Sequence, residues 1–355
     1  MGTAAEMKVV VTGATGNAGV ALLDALEHCD EVTSVVGIAR RPPGAVHPEV
    51  DWVQADVAVD DLRPTLQGAD AVVHLAWLIQ PSRDERATWA TNVGGTERLL
   101  AAAAEVGVGK VVVASSIGAY APGPKDAPVD ESWPTTGVGS SSYSREKAYV
   151  ERLLDVYERD HPETAVVRVR PGLVLQHRAG PEVRRYFAGP LVPGRLLDPR
   201  WLRLLPSLKG IRVQAVHASD LARAYLQTIV KPVRGPFNVA ADPPLDAPTL
   251  AELLGARLVP VSPALARRAA QITWNLHLQP TEPAWLDLAA AVPVMSCERA
   301  RTQLGWSPSW SAGDAFLDVI RGAADREGGT TAPLRADTPK TRTDEIRTGI
   351  GGTDD

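Results

Sequence analysis

A tyrosine and a lysine four residues apart stand at Tyr143 and Lys147. On a helix that spacing puts both side chains on one face. An ammonium beside a phenol favours phenolate and draws the tyrosine pKa down, toward the range where it can give or take a proton. Of the six tyrosines, only Tyr143 has a lysine at this distance. Upstream, VVVASS at 111–116 sets Ser115 and Ser116 at the end of an apolar run, as hydroxyls at a strand end. A lysine four after a tyrosine recurs by chance in many chains. Its meaning here comes from the order, hydroxyls before tyrosine before lysine, behind a glycine loop.

That loop is TGATGNAG at 12–19. Gly13, Gly16 and Gly19 permit a tight turn and close backbone approach to a pyrophosphate, which the unpaired N–H groups of a following helix would face. About twenty residues on, an acid would bind a ribose 2′-hydroxyl; Ala39 stands there instead, followed by Arg40 and Arg41. Guanidinium groups suit a 2′-phosphate, which favours NADP over NAD.

Regular elements must carry these groups. Lys8–Thr12, Val32–Ala39, Val50–Gln54, Ala71–Leu75, Lys110–Ala114 and Ala165–Arg170 are apolar runs of strand length. Between them, 18–27, 85–106 and 143–159 have helical spacing. The alternation predicts an α/β fold, a doubly wound parallel sheet of Rossmann type. After residue 171 proline is frequent and the pattern loosens, so a smaller, discontinuous C-terminal substrate region is expected. The division reads as a core over 7–175, with 211–241 returning to it, a substrate region over 176–210 and 242–323, and a tail over 324–355. From 325 on, the large apolar residues are only Leu334, Ile346 and Ile350, so the tail is expected to be disordered.

Composition bounds the rest. Charged residues are 22% and the net charge is −5, which argues against a nucleic-acid partner. Cys29 and Cys297 form no metal-binding spacing, so no metal is expected. The beginning of the chain has no signal-peptide layout and no run is long enough for a membrane span, so a cytoplasmic location without membrane association is expected. Against the acidic total, 168–234 holds eleven Arg and two Lys but three acids. Such charge beside a pocket would concentrate an anionic small-molecule substrate, with Arg184, Arg185 and Tyr186 its most site-like part. Trp201, Trp274 and Trp285 could line an apolar pocket, though core packing is the expected role.

The motifs, taken together, resemble the extended short-chain dehydrogenase/reductases of the NAD-dependent epimerase/dehydratase family. They are TGATGNAG, Asp56 in ADV, HLA at 74–76, Asn92 in TNVGGT, SSIGAY at 115–120, YSREK at 143–147, RPG at 170–172 and VHASDLA at 216–222, in the family's order. LGWSP at 304–308 resembles a motif near the family's end. The resemblance implies Tyr143 as proton donor or acceptor, Lys147 on the nicotinamide ribose, and Ser116, rather than Ser115, on the reacting oxygen. It implies a cofactor lined by Gly13, Thr15, Gly16, Asn17, Ala18, Gly19, Asp56, Val57, Leu75, Ala76 and Pro171, with Asn92 beneath it. His74, His217 and Asp220 read as structural.

The chain also departs from the family. Ser116-Ile117-Gly118 holds no carboxylate where the dehydratases carry an acid, and RPGLVLQ at 170–176 lacks the Asn and YGP of many sugar-nucleotide enzymes. The expectation is therefore an NAD(P)-dependent oxidoreductase passing a hydride between nicotinamide and a carbonyl or alcohol of a small organic molecule. A nucleotide-sugar epimerase with tightly bound NAD and a non-catalytic dinucleotide-sensing regulator are the alternatives. A homodimer is open to any of them.

Overall fold

The computed structural model describes residues 7–44, 46–80, 83–190, 203–336, 338, 343, 344, 346 and 347. The valine-rich runs become the strands of the main sheet. In chain order its first part is β1 (Met7–Thr12), α1 (Asn17–Leu26), β2 (Val32–Ala39), β3 (Val50–Gln54), α2 (Arg63–Leu66) and β4 (Ala71–His74). The second is α3 (Glu85–Trp89), α4 (Gly95–Val106), β5 (Lys110–Ala114), α5 (Ser142–Asp160) and β6 (Ala165–Pro171). With β7 (Leu173–Leu175), α6 (Gly180–Val183), β8 (Leu204–Leu208), β9 (Arg212–His217), α7 (Ala218–Val230) and β10 (Gly235–Val239), the chain adds one last strand to that sheet. Its order is β10-β6-β5-β4-β1-β2-β3, and every neighbouring pair is parallel.

Both faces of this sheet are covered, so its central strands β1, β4 and β5 carry unbroken valine runs instead of alternating. The two-residue period still sorts their side chains. Val9 and Val11 of β1 join one core with Leu22, Leu23, Leu221 and Tyr225 of α1 and α7. Val10 joins the other, with Leu99 and Leu100 of α4 and Val150 and Leu154 of α5. Ala21, Ala218 and Ala222 let α1 and α7 approach closely. Strand order reverses between β1 and β4, which opens a crevice beyond the carboxyl ends of those two strands.

The rest is β11 (Ala241–Asp246), α8 (Ala247–Leu254), β12 (Arg257–Val261), α9 (Pro263–Asn275), α10 (Ala284–Ala291) and α11 (Ala312–Asp325). Of the segment expected to return to the core, only β10 joins the main sheet. β9 lies instead between β7 and β11 in a second sheet, under Ala312, Ala315 and Val319 of α11. Asp220 at the start of α7 accepts from the main-chain N–H groups of Ser309 and Trp310, and its carbonyl accepts the Trp306 indole N–H, which anchors the LGWSP segment.

The described beginning of the tail, up to residue 336, packs on the body instead of being disordered. Leu334 is fully buried against Val20 of α1 and Ala179. The Thr331 hydroxyl donates to the Thr15 carbonyl at 2.8 Å. Arg185 donates to the carbonyls of Pro333 and Arg335. Composition underrates such a strap because its socket and its donors belong to the body. Replacing Leu334 by alanine should cost about 2 kcal/mol or more, a Tm loss of several degrees. Truncation after Glu327 should do the same. An unchanged melting midpoint in both proteins would show that the strap does not dock.

Candidate active site

The glycine loop leaves β1 at Thr12 and turns at Gly13, whose φ is +67°. A Cβ there would meet Ala76 N at 2.5 Å and Leu75 C at 2.6 Å, so glycine lets β1 and the end of β4 come together. A Cβ on Gly19 would strike the Gly13 carbonyl. Gly16 differs, because its Cβ would find only Gly13 O, at 3.4 Å, and the loop is open on that side. Gly16 also begins α1 without a side-chain cap, which leaves first-turn N–H groups for a ligand. Asn17 turns its amide toward β7, donating to the Val174 carbonyl at 2.9 Å and accepting from Gln176 at 2.6 Å. This cradle fits a dinucleotide pyrophosphate.

Beyond it, β2 and β3 end side by side, with Ala39 paired to Gln54. Arg40 and Arg41 follow as exposed residues, and Asp56 caps the turn after β3 through Ala58 N at 2.9 Å. Val57 is buried against Gly95. Leu75 N donates to the Thr12 carbonyl at 3.1 Å, which holds the HLA segment beside the loop.

His74 joins this half to the helices below. Its Nδ1 lies 2.7 Å from the Thr12 hydroxyl and its Nε2 3.0 Å from Thr96 Oγ1, whose hydroxyl donates to the Asn92 carbonyl at 2.5 Å. Since Thr96 gives its proton to Asn92, Nε2 must carry one and Nδ1 must accept. Burial pushes the His74 pKa down to about 3, so the ring is neutral and structural.

Tyr143 lies in the first turn of α5. Ser141 caps that helix, and the Ser144 hydroxyl donates to the Gly118 carbonyl at 2.5 Å while accepting from Val138 N at 2.7 Å. The helix start is thereby stapled to the 117–119 turn. A Cβ on Gly118 would meet Tyr143 Cε1 at 2.8 Å, so glycine admits the phenol ring. Ser116 Oγ accepts from Gly118 N at 2.9 Å and stands beside the Tyr143 ring, where its hydroxyl pulls the phenol pKa down. Ser115 points elsewhere, donating to Glu151 at 2.5 Å. Lys147 donates to the Ala114 carbonyl at 2.7 Å. The structure thus brings Ser116, Tyr143 and Lys147 to one place at the carboxyl end of β5.

The expected lowering of the tyrosine pKa does not occur. Burial pushes Tyr143 up to about 12, against the pull of Ser116. Lys147 is not directed at the phenol: its Nζ lies 3.3 Å from the Trp77 ring centroid and 5.9 Å from that of Tyr143. Burial drives the Lys147 pKa down to about 7, although Glu146 and Glu151 favour its charge. Glu146 accepts from Thr88 at 2.7 Å and from Asn92 at 2.6 Å, and burial raises its pKa. Asn92 sits in a wide turn over 90–94, between α3 and α4, and its amide also closes on the N–H and carbonyl of Leu78. Glu146 was not singled out in the sequence, although it lies inside YSREK.

Another expectation changes. Among the described residues, most arginines between 168 and 234 are engaged within the fold. Arg170 and Arg168 pair with Glu151 and Glu158, Arg178 with Asp24, and Arg223 with Asp220. Arg184 donates to the Gly189 carbonyl at 2.9 Å and Arg185 holds the tail, so both already have partners in place of an anion. The Tyr186 carbonyl accepts from Thr281 at 3.3 Å, and Pro171 is buried at the end of β6. Trp285 packs on the buried cluster of Val138, Leu288 and Val292, as expected, and it also touches the site: its ring lies 5.0 Å from Tyr143, and Phe187 stands edge-on to it at 5.2 Å. Trp77 meets Tyr143 edge-on at 5.9 Å. Trp77 directly follows HLA and could have been found from that position; Trp285 and Phe187 lie in stretches without a motif. Trp201 falls outside the described residues.

The Lys147 pKa has a consequence for stability. Its folded value, about 7, lies below the ordinary lysine value, so the unfolded chain binds more protons between pH 7 and 10.5. Stability contributed by this site therefore rises with pH across that window. Melting curves of cofactor-free protein should show the rise, and Lys147→Met should flatten it. A variant that follows the unmodified profile would place Lys147 in water.

No helix among the described residues is long and apolar enough to cross a membrane. The chain is 28% identical over 327 residues to an uncharacterized protein of Mycobacterium tuberculosis, covering 91% of this chain and 31% of that one. It thus spans about a third of the length of that relative. It is 32% identical over 227 residues to a putative dihydroflavonol 4-reductase of Synechocystis sp., with 61% of each chain covered. Among solved structures, the UDP-glucose 4-epimerase of Thermus thermophilus in complex with NAD aligns with a TM-score of 0.66 at 20% identity, over 89% of this chain and 99% of that one. At that identity the likeness shows the fold. The model of the NAD dependent epimerase/dehydratase family matches residues 9–240, nearly the whole doubly wound sheet, and the chain belongs to that family.

Proposed function

We propose that the protein is an NADP-preferring oxidoreductase that interconverts a carbonyl and an alcohol on a small organic molecule. The observation that carries this reading is the convergence of Ser116, Tyr143 and the buried Lys147 at the carboxyl end of β5. The bound nicotinamide would supply or accept the hydride. The chain's own residues do the rest. Ser116 and Tyr143 bind the substrate oxygen, Tyr143 gives it a proton on reduction and takes one on oxidation, and Lys147 favours the phenolate once it binds the cofactor ribose. Ser116-Ile117-Gly118 offers no acid for eliminating water. Asp56 and the glycine loop would hold the adenosine and the pyrophosphate, and the exposed Arg40 and Arg41 at the end of β2 suit a 2′-phosphate.

An epimerase would use the same three residues and return its hydride, so stoichiometry separates the two: this reading requires one NADPH consumed per product formed. Tyr143→Phe should lower turnover by about 10²–10⁴-fold while leaving cofactor affinity unchanged, because it removes one oxygen and keeps the ring. Near-normal turnover would mean that another group moves the proton. For cofactor choice, titration should show NADPH bound more tightly than NADH, and Arg40→Asp should abolish or invert the difference. Equal affinities in the unmodified protein would remove the 2′-phosphate argument.

A further inference from the structure

Four aromatic rings form a continuous line at the proposed proton donor. Trp77 meets Tyr143 edge-on, Tyr143 lies tilted by 35° on Trp285, and Phe187 stands edge-on to Trp285 at the outer end. Trp77 and Trp285 rest on buried clusters while staying partly exposed. Tyr120, Tyr225 and Phe237 are at most 1% exposed, whereas Phe187 is 38% exposed and Trp77 and Trp285 are partly exposed. The line therefore runs from solvent to Tyr143. Ile117 packs beside Tyr143 and Trp285 and extends the same apolar wall. Leaving large rings half-buried forgoes apolar burial worth about 25 cal/mol per Å², which a ligand can recover. One donor stands in this wall: the Trp77 indole N–H is buried and has no hydrogen-bond partner among the described residues.

From these contacts we infer that the substrate is a planar aromatic carbonyl compound, or the matching aryl carbinol, instead of a nucleotide sugar. This rests on the oxidoreductase reading. The aromatic ring would pack against Trp285 and Phe187, offset or edge-on as π-faces prefer, which leaves its carbonyl at Ser116 and Tyr143. On reduction the carbonyl carbon gains a hydride from NADPH and the oxygen gains the Tyr143 proton, giving the carbinol and NADP. Arg184 and Arg185, which the basic stretch offered for a diphosphate, already have partners within the fold.

Acetophenone and 2-acetylnaphthalene are suitable probes, with UDP-glucose as the comparison. Ligand-observed saturation-transfer NMR on the full chain with NADP, which cannot reduce them, reads binding without turnover. Both ketones should bind, the larger ring more tightly, and UDP-glucose should not compete. Trp285→Ala should weaken the ketones by about tenfold or more while NADP affinity stays within about twofold. Phe187→Ala, at an exposed ring, gives a second variant with little risk to folding and should weaken 2-acetylnaphthalene more than acetophenone. Binding of UDP-glucose in preference to either ketone would overturn the proposal, as would ketone affinity unchanged in both variants. Ketones that bind in a Trp285-dependent way but are not reduced with NADPH or NADH would uphold the aromatic site and defeat the oxidoreductase reading.

Discussion

The buried carboxylate of Glu151 holds the carboxyl end of the sheet together around Tyr143. From the middle of α5 it receives both arms of Arg170 from β6, at 2.8 and 2.9 Å, and the Ser115 hydroxyl from the end of β5 at 2.5 Å. Burial penalises its charge, but Arg170 and Ser115 hold the carboxylate below its ordinary range. Arg170 then reaches the Tyr120 hydroxyl and the Glu131 carbonyl, and Tyr120 reaches Asn238 of β10. One carboxylate thereby fixes how α5 sits on three strands and on the turn after β5. Ser116, Tyr143 and Lys147 stand on those elements. Removing one partner of such a pair leaves an unpaired buried charge, at a cost of about 3–5 kcal/mol, so this layer is rigid.

A second set of contacts joins the cofactor half to the catalytic half. Thr12, His74, Thr96 and the Asn92 carbonyl form a hydrogen-bonded series from the glycine loop to the wide turn before α4. The Asn92 side chain continues it to Glu146, next to Lys147. The loop that fits the pyrophosphate and the lysine that would meet the ribose are positioned by one polar network, whose members are satisfied inside the fold. Trp77 completes the picture, since its ring faces the Lys147 ammonium.

The basic stretch shows why charge counts alone mislead. A surplus of arginines between 168 and 234 looks like an anion funnel in one dimension. In three, Arg168 and Arg170 meet acids of α5, Arg178 meets Asp24 of α1, and Arg185 meets tail carbonyls. Sequence distance hides these partners: Arg185 and Arg335 are 150 positions apart. What remains around Tyr143 is aromatic.

Local physics made much of this protein legible in one dimension. Strand-length valine runs, helical spacing and glycines at 13, 16 and 19 act over a few residues, so the parallel sheet and the open loop could be read directly. The Tyr143–Lys147 spacing is equally local, because a helix turns every 3.6 residues. The tertiary structure supplies the reason that Ser116 and not Ser115 faces the phenol, since Ser115 is drawn away by Glu151, 36 positions on. It also raised the Tyr143 pKa, where burial outweighs the pull of Ser116. The same holds for the strap at Leu334, whose socket is built by Val20 and Ala179, and for Trp285, which meets Tyr143 across 142 positions. Burial and side-chain pairing depend on contacts between distant segments, and no spacing rule along the chain encodes them.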